Sequence, residues 1–314
     1  MPPIRLAFVG QREYFNYTSL QAPAGGVEPA FVHFYPEAPV EPLLAELEAL
    51  EPDVVFVWRP ELIPAGAFAD LAAVTVGYLT EPLPRPGTEP HPDLVTRWET
   101  LRRADPSNFD RVVSFDPLVA PTVDAHMRVW RSFPIPVSDT YFADVSAPNP
   151  RPHVLFTGRS TDHRERFLGP VKKDFPTVHL AHGVTDEQLL PFLRETDVGV
   201  NLHNEPYPTF ENRVPAYLAA GLLVISEPLS PHHGLQPGRD LLEVREPYHL
   251  YELVETAART PHAFDTIRRN GRRAAERWRA SRVYPRFAND LVQDVRAFGR
   301  GRPAPALPAT LGAA

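Results

Sequence analysis

The chain has 314 residues, a length that suits two domains of ordinary size. With 43 % hydrophobic and 23 % charged residues, it has the balance of a soluble globular protein. The formal net charge of −7 disfavours nucleic acid or an anionic membrane as a long-range partner. Because the chain contains no cysteine, a disulfide scaffold, a thiolate metal site and a cysteine nucleophile are all excluded.

The two ends of the sequence carry simple signals. The N-terminus leads directly into an apolar run without a signal-peptide pattern, and no apolar stretch reaches the length of a membrane span. We therefore expect a cytoplasmic location and no integral membrane span. Residues 301–314 are rich in proline, alanine and glycine, which predicts a flexible tail.

The first half alternates strand and helix patterns. We predict strands at 4–10, 30–35, 53–58, 74–79 and 111–115, and helices at 40–50, 64–71 and 93–103. Because the apolar runs are continuous, the strands should be covered on both faces. Strand–helix alternation of this kind predicts a parallel sheet with helices on both sides.

Proline-rich stretches at 134–136 and 147–152 indicate a change of module, after which the alternation starts again. We predict further strands at 154–157, 177–181, 198–202 and 222–226, and helices at 165–175, 186–195, 210–220, 248–259, 263–278 and 284–298. The predicted domains are 1–145 and 146–283, followed by a closing helix at 284–300. Two Rossmann-like, doubly wound α/β domains would face each other across a cleft, with ligands beyond the carboxyl ends of the strands.

The second half carries polar residues where its strands end. Gly158 and Arg159 follow the first of these strands, where glycine allows close approach and arginine can bind phosphate oxygens; the alternative is a simple turn. Gly183 and Val184 follow the second strand and could line a base pocket. Thr185 with Gln188 predicts a capping box for the next helix.

A helix beginning near Thr209 is the candidate phosphate site. Thr209 would be its N-cap, and free N–H groups at a helix start favour a diphosphate. Arg213, one turn in, could add a full charge. The alternative is an ordinary amphipathic helix with Gly221 as its C-cap. A metal site at His232 and His233 is disfavoured, because adjacent loop histidines diverge and no partner stands at ligand spacing.

The order of motifs in this half resembles a known family. FPIPVSDTYF, VLFTGRS, HGVTDEQLLPFLRETDVGVNLH, FENRVPAYLAAGLLVIS and LQPGRDLLEV together are similar to the nucleotide-sugar half of retaining GT-B glycosyltransferases, in particular the group 1, spore-maturation-type branch. The resemblance covers about residues 133–290. The N-terminal half matches only in general architecture.

The resemblance implies donor-binding roles residue by residue. Gly158 and Arg159 match the segment near the donor diphosphate, and Gly183 and Val184 the segment beside the base. The helix start under the phosphates corresponds to Phe210, Glu211, Asn212 and Arg213, of which the arginine is typical of the spore-maturation branch. Gly221 matches the small residue that packs this helix on the next strand.

One position departs from the family. The glutamate that usually holds the donor ribose stands five residues before the matching glycine, and here that position is Ala216. The earlier acid of the paired-glutamate motif falls at Pro208. Glu205 and Glu211 lie nearby but out of register. The departure implies altered donor contacts, weaker nucleotide binding, or a protein that keeps the fold without the activity.

The first half offers acceptor-side candidates. Gly10, Gln11 and Arg12 follow the first strand and should face the cleft. Glu81 and Asp116 also follow strands and are the catalytic candidates, although acids at strand ends often only cap the next helix. Among other residues, His33 is expected to be structural, whereas Tyr14, Phe15 and Tyr17 could form acceptor-binding surface.

These observations predict a glycosyltransferase that moves a sugar from a UDP-, GDP- or dTDP-sugar to an acceptor hydroxyl whose identity the sequence leaves open. No metal and no cofactor are expected, and the resemblance implies retention at the anomeric carbon. Domain closure would exclude water. The alternatives are a nucleotide-sugar epimerase on the same fold, an inactive nucleotide-binding protein, and a scaffold.

Overall fold

A computed structural model describes residues 2–87, 89–181, 184–204 and 207–301. Apart from Gly301, the predicted tail lies outside the described residues. The chain divides into two compact units. The first comprises the described residues of Met1–Asn16, Leu20–Phe133 and Tyr284–Ala314, and the second comprises Tyr17–Ser19 and Pro134–Val283. Within the described ranges, no helix is both long and apolar enough to cross a membrane.

The first unit is built on a six-stranded parallel sheet in the order β2-β1-β3-β4-β5-β6. Its strands are β1 (Ile4–Gly10), β2 (Val27–His33), β3 (Val54–Trp58), β4 (Val74–Leu79), β5 (Arg111–Ser114) and β6 (Val129–Ser132). Since β2 and β3 flank β1 on opposite sides, the winding reverses between β1 and β3.

This unit contains the helices α1 (Arg12–Phe15), α2 (Val40–Leu50), α3 (Pro92–Leu101) and α4 (Ala120–Val123), and the last helix of the chain also belongs to it from Tyr284 onward. Alternate residues of the strands, such as Val9 and Val57, pack with Leu47 of α2 and Leu101 of α3 in one buried cluster. This is the core on one face of the sheet.

The second unit contains a five-stranded parallel sheet in the order β11-β10-β9-β7-β8. Its strands are β7 (Val154–Thr157), β8 (Thr177–Leu180), β9 (Val198–Asn201), β10 (Leu223–Ser226) and β11 (Leu242–Glu243). Here β8 and β9 flank β7, so the winding reverses between β7 and β9.

Helices cover both faces of the second sheet. They are α5 (Asp162–Asp174), α6 (Asp186–Glu195), α7 (Arg213–Ala219), α8 (Pro247–Arg259) and α9 (Asp265–Ala275). One core joins Leu155 and Val224 to α7 and α9. The other joins Phe156 and Val200 to α5 and α8. The last helix, α10 (Ala280–Phe298), follows a 3-10 turn at Glu276–Trp278.

The second face of the first sheet is aromatic. The Tyr284 ring of α10 contacts Phe8 and Phe56 edge-to-face, with ring centroids 4.8 Å and 5.7 Å apart. The ring centroids of Phe287 and Phe56 are 5.6 Å apart. Such edge-to-face pairs add to the stabilisation that burial provides. The C-terminal helix therefore covers the face of the sheet opposite to α2 and α3.

The predicted α/β class with two parallel sheets is confirmed, and several elements fall at the predicted residues, among them β1, α2, β4, β7 and α6. The predicted helix at 64–71 is wrong. This stretch forms successive turns because Gly66 adopts φ +70° and the side chains of Asp105 and Asn108 bind its backbone. Strands β6 and β11, only four and two residues long, were not predicted.

Candidate nucleotide-sugar site

The reversal point of the second sheet collects polar side chains. In open parallel α/β sheets, ligands bind beyond the carboxyl ends of the strands where the winding reverses. Gly158 follows β7 directly, and Leu202 and His203 follow β9. Two arginines, Arg164 of α5 and Arg213 of α7, lie at this point.

Gly158 makes room for both guanidinium groups. A Cβ atom added there would lie 3.2 Å from Arg164 Nη1 and 3.2 Å from Arg213 Nη2, and the φ of +142° disfavours any side chain. Phe156 lies in β7, two residues before Gly158, and the centre of its ring is 5.3 Å from the guanidinium carbon of each arginine. Two positive charges thus share one aromatic residue beside a strand end.

Backbone carbonyl groups hold the two arginines in place. Arg164 donates from Nε to the carbonyls of Leu202 (3.2 Å) and His203 (3.0 Å), and from Nη1 to that of Arg159. Arg213 donates from Nη1 to Asn201 Oδ1 (2.9 Å) and to the Leu202 carbonyl (3.1 Å). The carbonyl of Leu202 therefore binds both arginines.

Arg164 is only 3 % exposed. Its burial and the nearby charge of Arg213 lower its pKa to about 10. Two guanidinium groups that lie close together and away from water repel each other, and an anion bound between them would offset this electrostatic repulsion. The pair therefore favours a ligand with concentrated negative charge.

Glu211 partly balances the arginines. Its carboxylate lies 3.5 Å from Arg213 Nη2 and accepts a hydrogen bond from the Thr209 hydroxyl. Burial by itself would raise the pKa of Glu211, but Arg213, His203 and Arg164 together bring it below the usual value. Glu211 is therefore ionised and reduces the local positive charge without cancelling it.

A second carboxylate, Glu227, lies at the end of β10 with a side chain 8 % exposed. It accepts hydrogen bonds from the backbone N–H of His203 (2.7 Å) and lies 2.8 Å from Nε2 of His163. Burial lowers the pKa of His203, whose Nε2 lies 2.8 Å from the Pro228 carbonyl. The His203 ring is therefore neutral and structural, and Glu227 fixes the loop after β9.

The predicted helix start is wrong in detail. Helix α7 begins at Arg213 with Asn212 as a helical N-cap residue that makes no side-chain cap, and Thr209 is not the cap. Thr209 is buried, and Phe210 packs against Trp278 with ring centroids 5.5 Å apart. Because α7 has only seven residues, the positive character of this site comes from arginine side chains rather than from a helix terminus.

Ala216 lies in the core of the second unit and is 4 % exposed. Its neighbour Tyr217 reaches the end of β7, where its hydroxyl accepts a hydrogen bond from the Thr157 N–H (3.0 Å) and lies 2.9 Å from the Thr157 hydroxyl. Gly199 permits this, since a Cβ there would lie 2.5 Å from the Tyr217 ring. Gly221 ends the helix at φ +79° and packs on Val145.

The other predicted donor residues are placed less centrally. Arg159 donates to Asn204 Oδ1 at 2.8 Å, on the loop after β9. Val184 is half-buried in the loop between β8 and α6, and the predicted capping box of Thr185 and Gln188 is confirmed. Gly183 and Glu205 lie outside the described residues.

The predicted acceptor-side residues follow β1 in the first unit. Gly10 packs closely, since a Cβ there would lie 2.9 Å from Trp58 Cβ. Gln11 is the N-cap residue of α1. The guanidinium of Arg12 lies 4.8 Å from the centre of the Phe31 ring and donates to the Phe31 carbonyl, and the Arg12 backbone N–H donates to His33 Nδ1.

The two predicted catalytic acids differ in environment. Asp116 is 2 % exposed, accepts the N–H of Leu118 as a helix cap, and binds Arg85 Nε and Nη2 at 3.0 and 2.8 Å. Glu81 has a side chain 42 % exposed and lies 3.5 Å from Arg97. Asp116 is therefore engaged by Arg85 and the turn after β5, whereas Glu81 is partly exposed; the catalytic role of either acid stays a prediction.

Sequence reasoning missed Arg164. It stands in the run STDHRER at the start of α5, where charged residues are ordinary, and only the fold brings it to Gly158. A helical arginine in the third position after an N-cap, here Thr161, can fold back on the preceding loop, and that spacing was the available signal. Within the described ranges, no group of three or more histidine, aspartate or glutamate side chains is placed to hold a metal ion.

Solved structures share this architecture. HepE from Anabaena, solved with UDP, matches with a TM-score of 0.59 and 11 % identity over 92 % of this chain and 100 % of its own. A glycosyltransferase from Rickettsia africae matches with a TM-score of 0.58 and 11 % identity over 94 % and 99 % of the two chains. Sucrose-phosphate synthase from Thermosynechococcus elongatus matches with a TM-score of 0.56 and 11 % identity over 94 % and 99 %.

The chain therefore has the fold of the GT-B glycosyltransferases, as the order of its motifs predicted. Its residues 153–292, which include both arginines of the site, match the family described as glycosyl transferase-like. No curated protein matches the chain significantly. Membership of the spore-maturation branch stays a prediction.

Proposed function

We propose that this protein is a glycosyltransferase that uses a nucleoside diphosphate sugar. The observation that carries the proposal is the pair Arg164 and Arg213, held on either side of Gly158 at the point where the winding reverses. Preorganised positive charge in a dry site stabilises a leaving diphosphate. The match of residues 153–292 to the glycosyl transferase-like family supports the same assignment.

In the proposed reaction, the acceptor oxygen forms a bond to the anomeric carbon of the donor sugar. The bond between that carbon and the β-phosphate oxygen breaks, and the acceptor proton passes to the departing diphosphate. The two guanidinium groups supply the positive charge that this departure requires, so we infer that the transfer proceeds without a metal ion. The resemblance of the motif order favours retention at the anomeric carbon.

Uridine nucleotides are the first donors to test, because HepE was solved with UDP and with UDP-glucose. The protein should be incubated with UDP-, GDP- and dTDP-sugars, with and without a panel of hydroxylated acceptors, and followed by proton and phosphorus NMR. We expect the diphosphate to be released only when an acceptor is present, with the new bond in the configuration of the donor. Epimerised donor without acceptor would instead establish an epimerase, and an inverted product would contradict retention.

A second candidate is a protein that binds the nucleotide without transferring the sugar. The observation that favours it is Ala216, which stands in the hydrophobic core where the family has a glutamate for the ribose. In that case, UDP would bind but no donor and acceptor pair would yield product. The same incubations, combined with a measurement of UDP affinity, distinguish the two candidates.

A further inference from the structure

A chain of hydrogen bonds connects β8, the outermost strand of the second sheet, to Gly158. His179 of β8 lies with Nε2 2.8 Å from the carbonyl oxygen of Gly158 and with Nδ1 2.9 Å from Nζ of Lys172 in α5. Lys172 also donates to both carboxylate oxygens of Glu165, at 2.9 and 2.7 Å. Glu165 accepts a further hydrogen bond from the Ser160 hydroxyl at 2.6 Å. The chain of contacts therefore begins and ends in the loop between β7 and α5, and all of it lies in the second unit.

The partners of His179 determine which ring nitrogen carries the hydrogen. An ammonium group can only donate a hydrogen bond, and a carbonyl oxygen can only accept one. Nδ1 therefore accepts from Lys172, whereas Nε2 carries the hydrogen and donates to Gly158. Glu165 Oε1 lies 3.7 Å from Nδ1, which is too far for a hydrogen bond. In this arrangement the His179 ring is neutral and has one tautomer.

Glu165 keeps the Lys172 ammonium group charged and directed at the histidine. The hydrogen bonds from Lys172 and Ser160 lower the pKa of Glu165, so this carboxylate is ionised near neutral pH. An ionised carboxylate favours the charged form of a neighbouring amine. Because the charged amine has no acceptor, Nδ1 of His179 is left as an acceptor. The tautomer of His179 thus depends on α5 as well as on β8.

The hydrogen bond to Gly158 restrains the residue at which the backbone leaves β7. Gly158 has φ +142° and no side chain, so its backbone is less restricted than that of other residues. Its N–H donates to the Leu180 carbonyl at 2.8 Å, and His179 of the same strand binds its carbonyl. The next residue, Arg159, provides the carbonyl to which Arg164 Nη1 donates at 2.9 Å. A rotation of the Gly158 peptide would therefore move a hydrogen-bond partner of Arg164.

His179 also contacts the aromatic ring that lies beside the two arginines. Phe156 and His179 are register partners on adjacent strands, with ring centroids 5.1 Å apart and an interplanar angle of 69°. The same Phe156 ring lies 5.3 Å from the guanidinium carbons of Arg164 and Arg213. Within the described residues, His179 makes no hydrogen bond to either arginine, so its influence on them passes through the groups that it holds.

We propose that His179 is a positioning residue for the diphosphate of the donor, a role that rests on the proposed function. Through the Gly158 carbonyl and the Phe156 ring, it keeps Arg164 and Arg213 in place beside Gly158. Charged groups that are held in position stabilise an anion more than groups that must reorient to meet it. Loss of the hydrogen bond to Gly158 should therefore weaken the binding of the diphosphate and leave the binding of the nucleoside unchanged.

Two variants of His179 separate the hydrogen bond from the ring packing. His179→Phe retains an aromatic ring against Phe156 and lacks the donor, whereas His179→Gln retains an N–H donor that reaches about as far as Nε2. The measurement is isothermal titration with UDP and with uridine. We expect His179→Phe to lower the UDP affinity about fivefold, as the loss of one hydrogen bond implies, with the uridine affinity unchanged. His179→Gln should keep both affinities within about twofold of the wild type.

Lys172→Met tests the contact that fixes the tautomer. In the wild type, nitrogen-15 NMR should show His179 as a neutral ring with the hydrogen on Nε2, its signals being assigned by their absence from His179→Phe. Lys172→Met should add a population with the hydrogen on Nδ1 and lower the UDP affinity about threefold. Lys173→Met removes the same charge from the exposed neighbouring residue and should leave the tautomer and the UDP affinity unchanged.

Wild-type UDP affinity in His179→Phe would overturn the proposal, as would an equal loss in His179→Phe and His179→Gln. A loss shared equally by UDP and uridine would show that His179 only stabilises the fold, and it would also overturn the positioning role. If His179→Phe does not fold, equal UDP affinity in Lys172→Met and Lys173→Met overturns it instead. Each of these outcomes leaves the proposed function intact, because the wild type binds UDP. A wild type that binds no UDP would overturn the proposed function and the positioning role together.

Discussion

At the scale of single residues, Gly158 is the glycine of the candidate nucleotide-sugar site that adjoins both arginines. Its φ of +142° excludes a side chain, and a Cβ would displace the guanidinium groups of Arg164 and Arg213. We expect Gly158→Ala to lower the free energy of unfolding by about 2 kcal/mol and to weaken UDP binding. Chemical denaturation and calorimetry measure the two effects.

Gly169→Ala is the control for this change. Gly169 lies within α5, and a Cβ there meets nothing within 4 Å. Because Pro170 restricts the residue before it, the gain in helix propensity is offset, and we expect the free energy of unfolding to change by less than about 1 kcal/mol. UDP affinity should stay at the wild-type value. Equal behaviour of the two variants would show that Gly158 does not shape the site.

Asp116 allows a prediction that separates a structural from a catalytic role. In Asp116→Asn, Arg85 loses the carboxylate that binds two of its nitrogens in a buried position, so we expect a loss of stability of about 3 kcal/mol. Glu81→Gln, with a half-exposed pair, should cost less than about 0.5 kcal/mol. Thermal denaturation compares them, and an unchanged melting temperature in Asp116→Asn would contradict the structural role.

At the scale of elements, an ion-pair network joins the turn before α10 to neighbouring segments of the second unit. Glu276 binds Arg272 Nη1 at 2.7 Å, as well as Nε at 2.9 Å and Nη2 at 2.7 Å of Arg279. Arg279 in turn binds Asp139 and lies 3.7 Å from the centre of the Phe142 ring. The hydrogen bonds from Arg279 and Arg272 lower the pKa of Glu276 to about 2.

This network predicts a dependence of stability on pH. A carboxylate with a lowered pKa stabilises the folded state above its unfolded pKa, near 4.5, and this contribution is lost as the pH falls through about 2. We therefore expect Glu276→Gln to cost about 1 kcal/mol at pH 7, given the partial exposure, and to cost little near pH 2. Denaturation curves between these pH values test it, and a difference that does not change with pH would contradict the account.

The elements also show where the sequence was a sufficient guide. Continuous apolar runs such as Val54–Trp58 form buried strands in the structure, as predicted, and the capping box of Thr185 and Gln188 lies at the start of α6. Both signals are local and depend on the residues of one segment. The stretch 64–71 has helical apolar spacing but forms turns, because Asn108, far along the chain, takes its backbone hydrogen bonds. Local patterns cannot report such a partner.

At the scale of the whole molecule, the alternation of strands and helices was enough to predict two parallel sheets. The residues that meet at the candidate site were predicted only in part, and their role in binding stays a prediction. Gly158 and Arg213 were found because strand ends and motif order marked them, whereas Arg164 and Glu227 reach the site through the packing of α5 and β10. The sequence also predicted that a helix N-terminus near Thr209 would supply positive charge. Helix α7 begins later, at Arg213, and has only seven residues, so the positive charge at this position comes from arginine side chains.

The whole molecule carries a net charge of −7, so attraction of a diphosphate has to come from the local pair of arginines. Removing one of them should weaken the binding of UDP far more than the binding of uridine. Arg164→Gln keeps a hydrogen-bond donor at the position and lacks the charge. Arg166→Gln, on the exposed side of the same helix, is its control.

The most direct test is isothermal titration of the wild type, Arg164→Gln and Arg166→Gln with UDP and with uridine. We predict that the wild type and Arg166→Gln bind UDP much more tightly than uridine, and that Arg164→Gln loses about tenfold in UDP affinity with little change for uridine. No UDP binding by the wild type at millimolar concentration, or equal UDP affinity in all three proteins, would contradict the assignment of this site to a nucleoside diphosphate sugar.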